Sequence, residues 1–124
     1  MSTASLTLGQ IVVDSTDAAG LAGFWSRLLD RPVVDGANPF LAVVPPAPDG
    51  SVPALMFLAV PEPRSGKNRL HLDLVSPDQP AAVERAVALG ATRLGDFEEY
   101  GTRWTTLADP EGNVFDIGHP SLGR

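Results

Sequence analysis

The 124-residue sequence predicts an α+β domain made of two βαβββ modules, spanning about residues 5–60 and 68–118. Three observations predict it. A faint internal repeat, which matches Gln10 to His71 and Asp17 to Asp78 at one constant offset, sets LGQIVVDSTDAAGLAGFWSRLLDRPV against RLHLDLVSPDQPAAVERAVALGATRL. Both stretches carry an alternating strand, a short acidic turn and an amphipathic helix, in that order. After each helix come three short apolar runs separated by turn-forming residues.

Taken in order, residues 6–13 read as the first strand. Asp17 caps a helix on which Leu21, Phe24, Trp25 and Leu28 follow helical spacing, although Gly20 and Gly23 weaken it. The pair Arg31-Pro32 ends that helix, because a residue before proline is pushed out of the α region. Strands are predicted at residues 31–34, 40–44 and 54–59, bounded by DGANP and PPAPDGSVP. The polar, proline-bracketed stretch PEPRSGKN then links the modules.

In the second module, residues 69–74 alternate: Leu70, Leu72 and Leu74 fall on one face, His71 and Asp73 on the other. Asp78 starts the second helix, Val83, Ala86 and Val87 form its buried stripe, and Gly90 stands at the C-cap. Strands at residues 91–94, 103–108 and 113–117 complete the module. The last two are joined by ADPEGN, in which Asp109 is a turn former.

Composition narrows the function. With 44% hydrophobic and 19% charged residues the chain is globular, and long enough for a core without disulfides. A net charge of −6 argues against nucleic acid as a partner. The absence of cysteine excludes thiol nucleophiles and thiolate metal sites. No apolar run approaches the ~18 residues of a membrane span and no leader-like start is present, so a cytoplasmic protein is expected.

The segments QIVVDSTD running into GFW, then HLDL, then ADPEGNVFDIG, together with the element order, resemble the vicinal oxygen chelate superfamily. That superfamily includes glyoxalase I, bleomycin resistance proteins, fosfomycin resistance proteins and extradiol dioxygenases. The chain is most similar to its glyoxalase-like domain proteins, over nearly its whole length. The resemblance implies a cup-shaped mixed sheet with the helices outside and a divalent metal (Zn, Ni, Mn or Fe) on the floor of the cup.

Carried over by motif position, the metal ligands are Gln10, His71 and Asp116. The repeat offset, applied backwards from Asp116, gives Leu55, which cannot bind a metal and is read as a substrate-facing wall. The family usually has glutamate where Asp116 stands, and aspartate is one methylene shorter. Asp73 is then a substitute ligand or the partner that orients His71. Asp116, with Asp73 in reserve, is the carboxylate expected to move a proton.

Trp104 either gives the cup an aromatic wall for a planar or apolar ligand or packs at a subunit interface. Tyr100 and Phe97 lie in a glycine-hinged segment, DFEEYGTR, expected to cover the mouth of the cup. Trp25 reads as core, and His119 as solvent-facing. Two functions follow. One is a metal-dependent lyase or isomerase, or a dioxygenase-related enzyme, acting on a small vicinal-oxygen substrate with the metal as Lewis acid. The other is a metal-free protein that sequesters a small hydrophobic or aromatic molecule, as bleomycin resistance members do. Open sheet edges and the habit of the family imply a homodimer.

Overall fold

The computed structural model describes residues 4–120. The chain divides after Glu62 into two compact units, within the segment read as the link between modules.

The first unit contains β1 (Gln10–Ser15), α1 (Ala18–Leu29), β2 (Leu41–Val44) and β3 (Ala54–Ala59). The sheet order is β1-β3-β2, with β1 parallel and β2 antiparallel to β3. Asp17 is the N-cap, its carboxylate accepting from Gly20 N–H, which satisfies a donor that the first helical turn leaves free. The helix ends one residue before Arg31, at Asp30, whose φ of 56° lies in the left-handed region. Leu21, Ala22, Phe24 and Trp25 are buried on α1; Ala42, Val44, Leu55 and Phe57 are buried on the sheet. Alternation therefore assigns Ile11, Leu55, Phe57 and Val44 to the helix-covered face, and Gln10, Val12, Met56 and Val43 to the open one.

The second unit contains β4 (Asp73–Val75), α2 (Gln79–Leu89), β5 (Thr92–Glu99), β6 (Thr102–Ala108) and β7 (Val114–Gly118). Its order is β4-β7-β6-β5, with β4 parallel to β7 and the other neighbours antiparallel. Asp78 caps α2 by accepting from Ala81 N–H, and Gly90, with φ 124°, closes it. Val83 and Ala86 of α2 are buried with Leu107, Phe115 and Ile117 of the sheet. Asp109 is buried at the β6–β7 turn, accepting from the N–H groups of Glu111 and Asn113 and from the Asn113 amide.

Four local expectations are corrected. Residues 31–34 are not a strand: Pro32 has no N–H to give a ladder, and a lone bond from Val34 N–H to the Val43 carbonyl ties the segment to β2. The two modules are βαβββ-like, and in the first the segment after the helix is irregular. β1 begins only at Gln10, with Leu6 and Leu8 exposed ahead of it. β4 is shorter than the predicted 69–74, and Leu70 is 72% exposed rather than packed on a helix. Upstream of Asp73, Asp116 N–H still donates to the Leu72 carbonyl, whereas Val114 N–H donates to the Asn68 side-chain oxygen. Finally, DFEEYGTR is no covering loop. It is the paired end of the β5–β6 hairpin, turned at Tyr100 and Gly101 with φ of 53° and 74°. No helix among the described residues is long and apolar enough to cross a membrane.

Candidate metal-binding site and its aromatic wall

Sheet register in the second unit assembles a polar row on the face away from α2. Asp73 of β4 pairs with Asp116 of β7, and Asp116 pairs with Thr106 of β6. His71 lies two residues before Asp73, and its Nδ1 is 2.9 Å from Asp73 Oδ1 and 3.8 Å from Asp116 Oδ2. The Thr106 hydroxyl donates to Asp116 Oδ1 at 2.6 Å, fixing that carboxylate. The three acid–base side chains each offer a donor atom, all within 4.8 Å of one another. The His71 side chain is 48% exposed and that of Asp116 17%, so the cluster is open to solvent on one side and supported on the other.

These residues fit a divalent ion. Donors about 2.0–2.2 Å from one tetrahedral ion stand roughly 3.3–3.6 Å apart, and the measured 2.9 and 3.8 Å bracket that spacing. An imidazole with two carboxylates is a hard-to-intermediate donor set suited to Zn, Mn or Fe. The two carboxylates give the cluster the negative charge that a bare imidazole and amide would lack.

Next to the cluster lies a cavity of ≈ 290 Å³, whose walls include His71, Asp73, Asp116, Trp104, Gly118 and His119. Trp104 pairs with Gly118 across the β6–β7 ladder, on the same face as Asp116, and stacks on Phe97 with ring centroids 5.8 Å apart. His119, read from the sequence as solvent-facing, is half-buried at this cavity.

Two substrate-facing assignments do not hold. Tyr100 is fully exposed at the hairpin tip, outside the lining of that cavity. Leu55 is 4% exposed in the helix-covered core of the first unit. The repeat explains the Leu55 error. The N-caps Asp17 and Asp78 stand one position further apart than the C-caps Asp30 and Gly90, because α1 is one residue longer than α2. The partner of Asp73 is Asp116, whereas the partner of Val12, which the N-cap offset matches to Asp73, is Met56. Carrying that offset past the helix therefore lands one position away, on Leu55, and one position in a strand is the opposite face. Gln10, the remaining expected ligand, opens β1 on the open face of the first unit and is exposed.

With fold and geometry established, comparison with known proteins is informative. A family model described as a glyoxalase-like domain matches residues 10–118. The chain belongs to this family of the vicinal oxygen chelate superfamily. The glyoxalase-like chain is similar in structure to a glyoxalase/bleomycin resistance protein/dioxygenase family enzyme from Burkholderia phytofirmans PsJN. The TM-score is 0.72 and the identity 21%, covering 90% of this chain and 96% of that one. It is also similar to a lactoylglutathione lyase from Agrobacterium tumefaciens, with TM-score 0.66, 12% identity and coverage of 94% and 96%. A third similar structure is the oxidase ChaP-H2, with TM-score 0.71, 21% identity and coverage of 97% and 98%. At these identities the likeness carries the fold and not the chemistry. No match to a curated protein was found.

Proposed function

We propose that this chain is a divalent-metal-dependent enzyme of lyase or isomerase type, related to the glyoxalases and acting on a small molecule with vicinal oxygens. The observation that carries the reading is the convergence of one imidazole and two carboxylates at the wall of a cavity. His71, Asp73 and Asp116 would hold the ion, which when bound supplies Lewis-acid polarisation of the substrate oxygens.

The remaining work falls to the side chains themselves. Asp73 and Asp116 both lie on the Nδ1 side of the imidazole, so an ion held there would take Nδ1 and one oxygen from each carboxylate. Thr106 holds Asp116 by Oδ1 and leaves Oδ2 on the side of His71. A proton leaving carbon beside the substrate oxygens needs a carboxylate released from the ion; Asp116 is the base if it detaches, and Asp73, the more exposed of the two, is the reserve.

The test is metal analysis of the full chain purified without chelator or affinity tag, repeated on His71→Ala and Asp116→Ala. Near-stoichiometric Zn, Ni, Mn or Fe that disappears in both variants is the expected result. A protein that takes up no metal even after reconstitution with excess divalent ions would overturn the proposal.

A second reading, metal-free sequestration of a small aromatic molecule, is favoured by the Phe97–Trp104 stack beside the cavity. It predicts ligand binding that is indifferent to chelator. We also propose a homodimer as the working unit, supported by the two edges that each sheet leaves open within its own unit, β1 and β2 in one and β4 and β5 in the other. Light scattering that gives the mass of a single 13.0 kDa chain would overturn this.

A further inference from the structure

The rungs of a parallel ladder recur every two residues. The bond from Asp116 N–H to the Leu72 carbonyl would therefore be followed upstream by one from Val114 N–H to the Leu70 carbonyl. A side chain stands in that rung. Val114 N–H donates to Asn68 Oδ1 at 3.3 Å, and Asn68 Nδ2 donates to the Leu70 carbonyl at 3.1 Å. The half-buried Asn68 amide thus satisfies both backbone groups while taking the place of their direct bond. Arg64 fixes the amide in turn, its Nη2 and Nε donating to Oδ1 at 2.6 and 3.2 Å. The Arg64 stem runs past the β6–β7 turn, where a Cβ on Gly112 would lie 3.6 Å from Arg64 Cδ. His71 lies between the two anchored carbonyls, Leu70 held by Asn68 and Leu72 held by Asp116 N–H, just ahead of the start of β4 at Asp73.

We infer that Asn68 is a positioning residue for His71: its amide, spliced into the β4–β7 ladder, sets the place from which the imidazole reaches Asp73 and Asp116. The chemistry of the position is narrow. Val114 and Arg64 need an acceptor there and Leu70 needs a donor, and a carboxamide supplies both from one planar group. Aspartate keeps the acceptor but sets an oxygen against the Leu70 carbonyl, and alanine offers neither. Either change releases the backbone on the N-terminal side of His71 and leaves the Leu72 side tied. His71 Nδ1 now stands 2.9 Å from Asp73 Oδ1 and 3.8 Å from Asp116 Oδ2. Ligand distances tolerate only about ±0.2 Å, so a backbone shift well below the length of a bond is felt at the ion. Asn68 touches neither ion nor substrate and acts through His71. Its consequence for metal affinity rests on the metal-site reading; its hold on the His71 backbone does not.

The test uses the full chain with Asn68→Ala and Asn68→Asp, each checked for folding by circular dichroism. Two readouts are taken. On chelator-treated protein, NMR three-bond couplings report the χ1 rotamer of His71. On reconstituted protein, competition against a chelating dye gives zinc affinity, and the visible absorption of bound Co(II) reports the ligand geometry. The expected result is a single His71 rotamer in the wild type that averages in both variants. Zinc affinity is expected to fall about tenfold or more, with a changed Co(II) spectrum. Asn68→Asp keeps the bonds from Val114 and Arg64, so it is the variant that decides if Asn68→Ala does not fold. A folded variant with unchanged couplings and affinity would overturn the inference, as would averaged couplings in the wild type. Unfolding of both variants, or a lower melting temperature with His71 unmoved, would assign Asn68 to the fold alone and also overturn it. A wild type that takes up no metal would sink the metal-site reading instead, and the couplings then decide for or against Asn68.

Discussion

Where the second module carries His71, Asp73, Asp116 and Thr106 on the face away from its helix, the first carries Gln10, Val12, Met56 and Val43 at the matching register positions. The frameworks are otherwise alike. Each has a parallel first and last strand, an aspartate N-cap and a core made by the opposite sheet face against its own helix. The polar set is therefore not what folds the module, since a largely apolar set at the same positions does as well. Period-two alternation separates the two demands: one set of alternate positions answers to the core, and the other is free to change chemistry. Among the described residues, the cluster of acid–base donors lies in the second module.

The sharpest way to break this comparison is to exchange the adjacent residues Leu55 and Met56 for alanine. Leu55→Ala removes a buried helix-facing side chain and is expected to cost about 2–5 kcal/mol in urea unfolding. Met56→Ala, on the open face, is expected to cost about 1 kcal/mol. Equal losses would mean that the face assignment of β3 is wrong.

That pair also marks what was legible in the sequence. The N-caps at Asp17 and Asp78 and the bounds of β3 could be read directly, because capping and short apolar runs are local signals. The shared face of His71 and Asp73 could be read from alternation alone. Thr106 and Gly118 could not: they reach the site through cross-strand register, which depends on the β6–β7 pairing, and nothing near them in sequence marks them. Leu55 was misassigned because a repeat offset is a count, whereas faces are set by register. The hairpin was misjudged because charged and glycine-rich residues read as loop, although Tyr100 and Gly101 supply the two positive φ angles that a tight turn between long strands requires.

Smaller in stability but larger in function is the exchange at Thr106. Thr106→Val makes the residue the same as its first-module counterpart Val43 and removes the hydroxyl that holds Asp116. Metal affinity is expected to fall about 10–100-fold with the melting temperature little changed. The reciprocal Val43→Thr is expected to leave affinity alone. Competition against a chelating dye measures both; an unchanged affinity in Thr106→Val would show that Asp116 does not depend on its neighbour. Tyr100→Asn should be quieter still, within about 0.5 kcal/mol and without effect on ligand affinity, because the side chain is fully exposed at the tip and asparagine tolerates its positive φ. A drop in affinity would return Tyr100 to the site.

The smallest expected effect lies on the helix side of the same sheet. Gln79 of α2 donates to Thr105 Oγ1, and the Thr105 hydroxyl donates to Asp96, which also takes two bonds from Arg93. The Thr105 hydroxyl, and after it the Arg93 guanidinium, hold the Asp96 carboxyl below its ordinary value of 3.8. A carboxylate whose folded value is lowered stabilises the fold above its ordinary value, and that contribution is lost as pH falls through the lowered one. The link between α2 and the β5–β6 hairpin should thus weaken only below about pH 4, and modestly, since Asp96 is exposed and screened. Carbon-detected NMR titration should find the Asp96 midpoint below 3.8 in the native protein and higher in Thr105→Val. An unmoved midpoint in that variant would assign the shift to Arg93 and remove Thr105 from the chain of bonds that ties helix to hairpin.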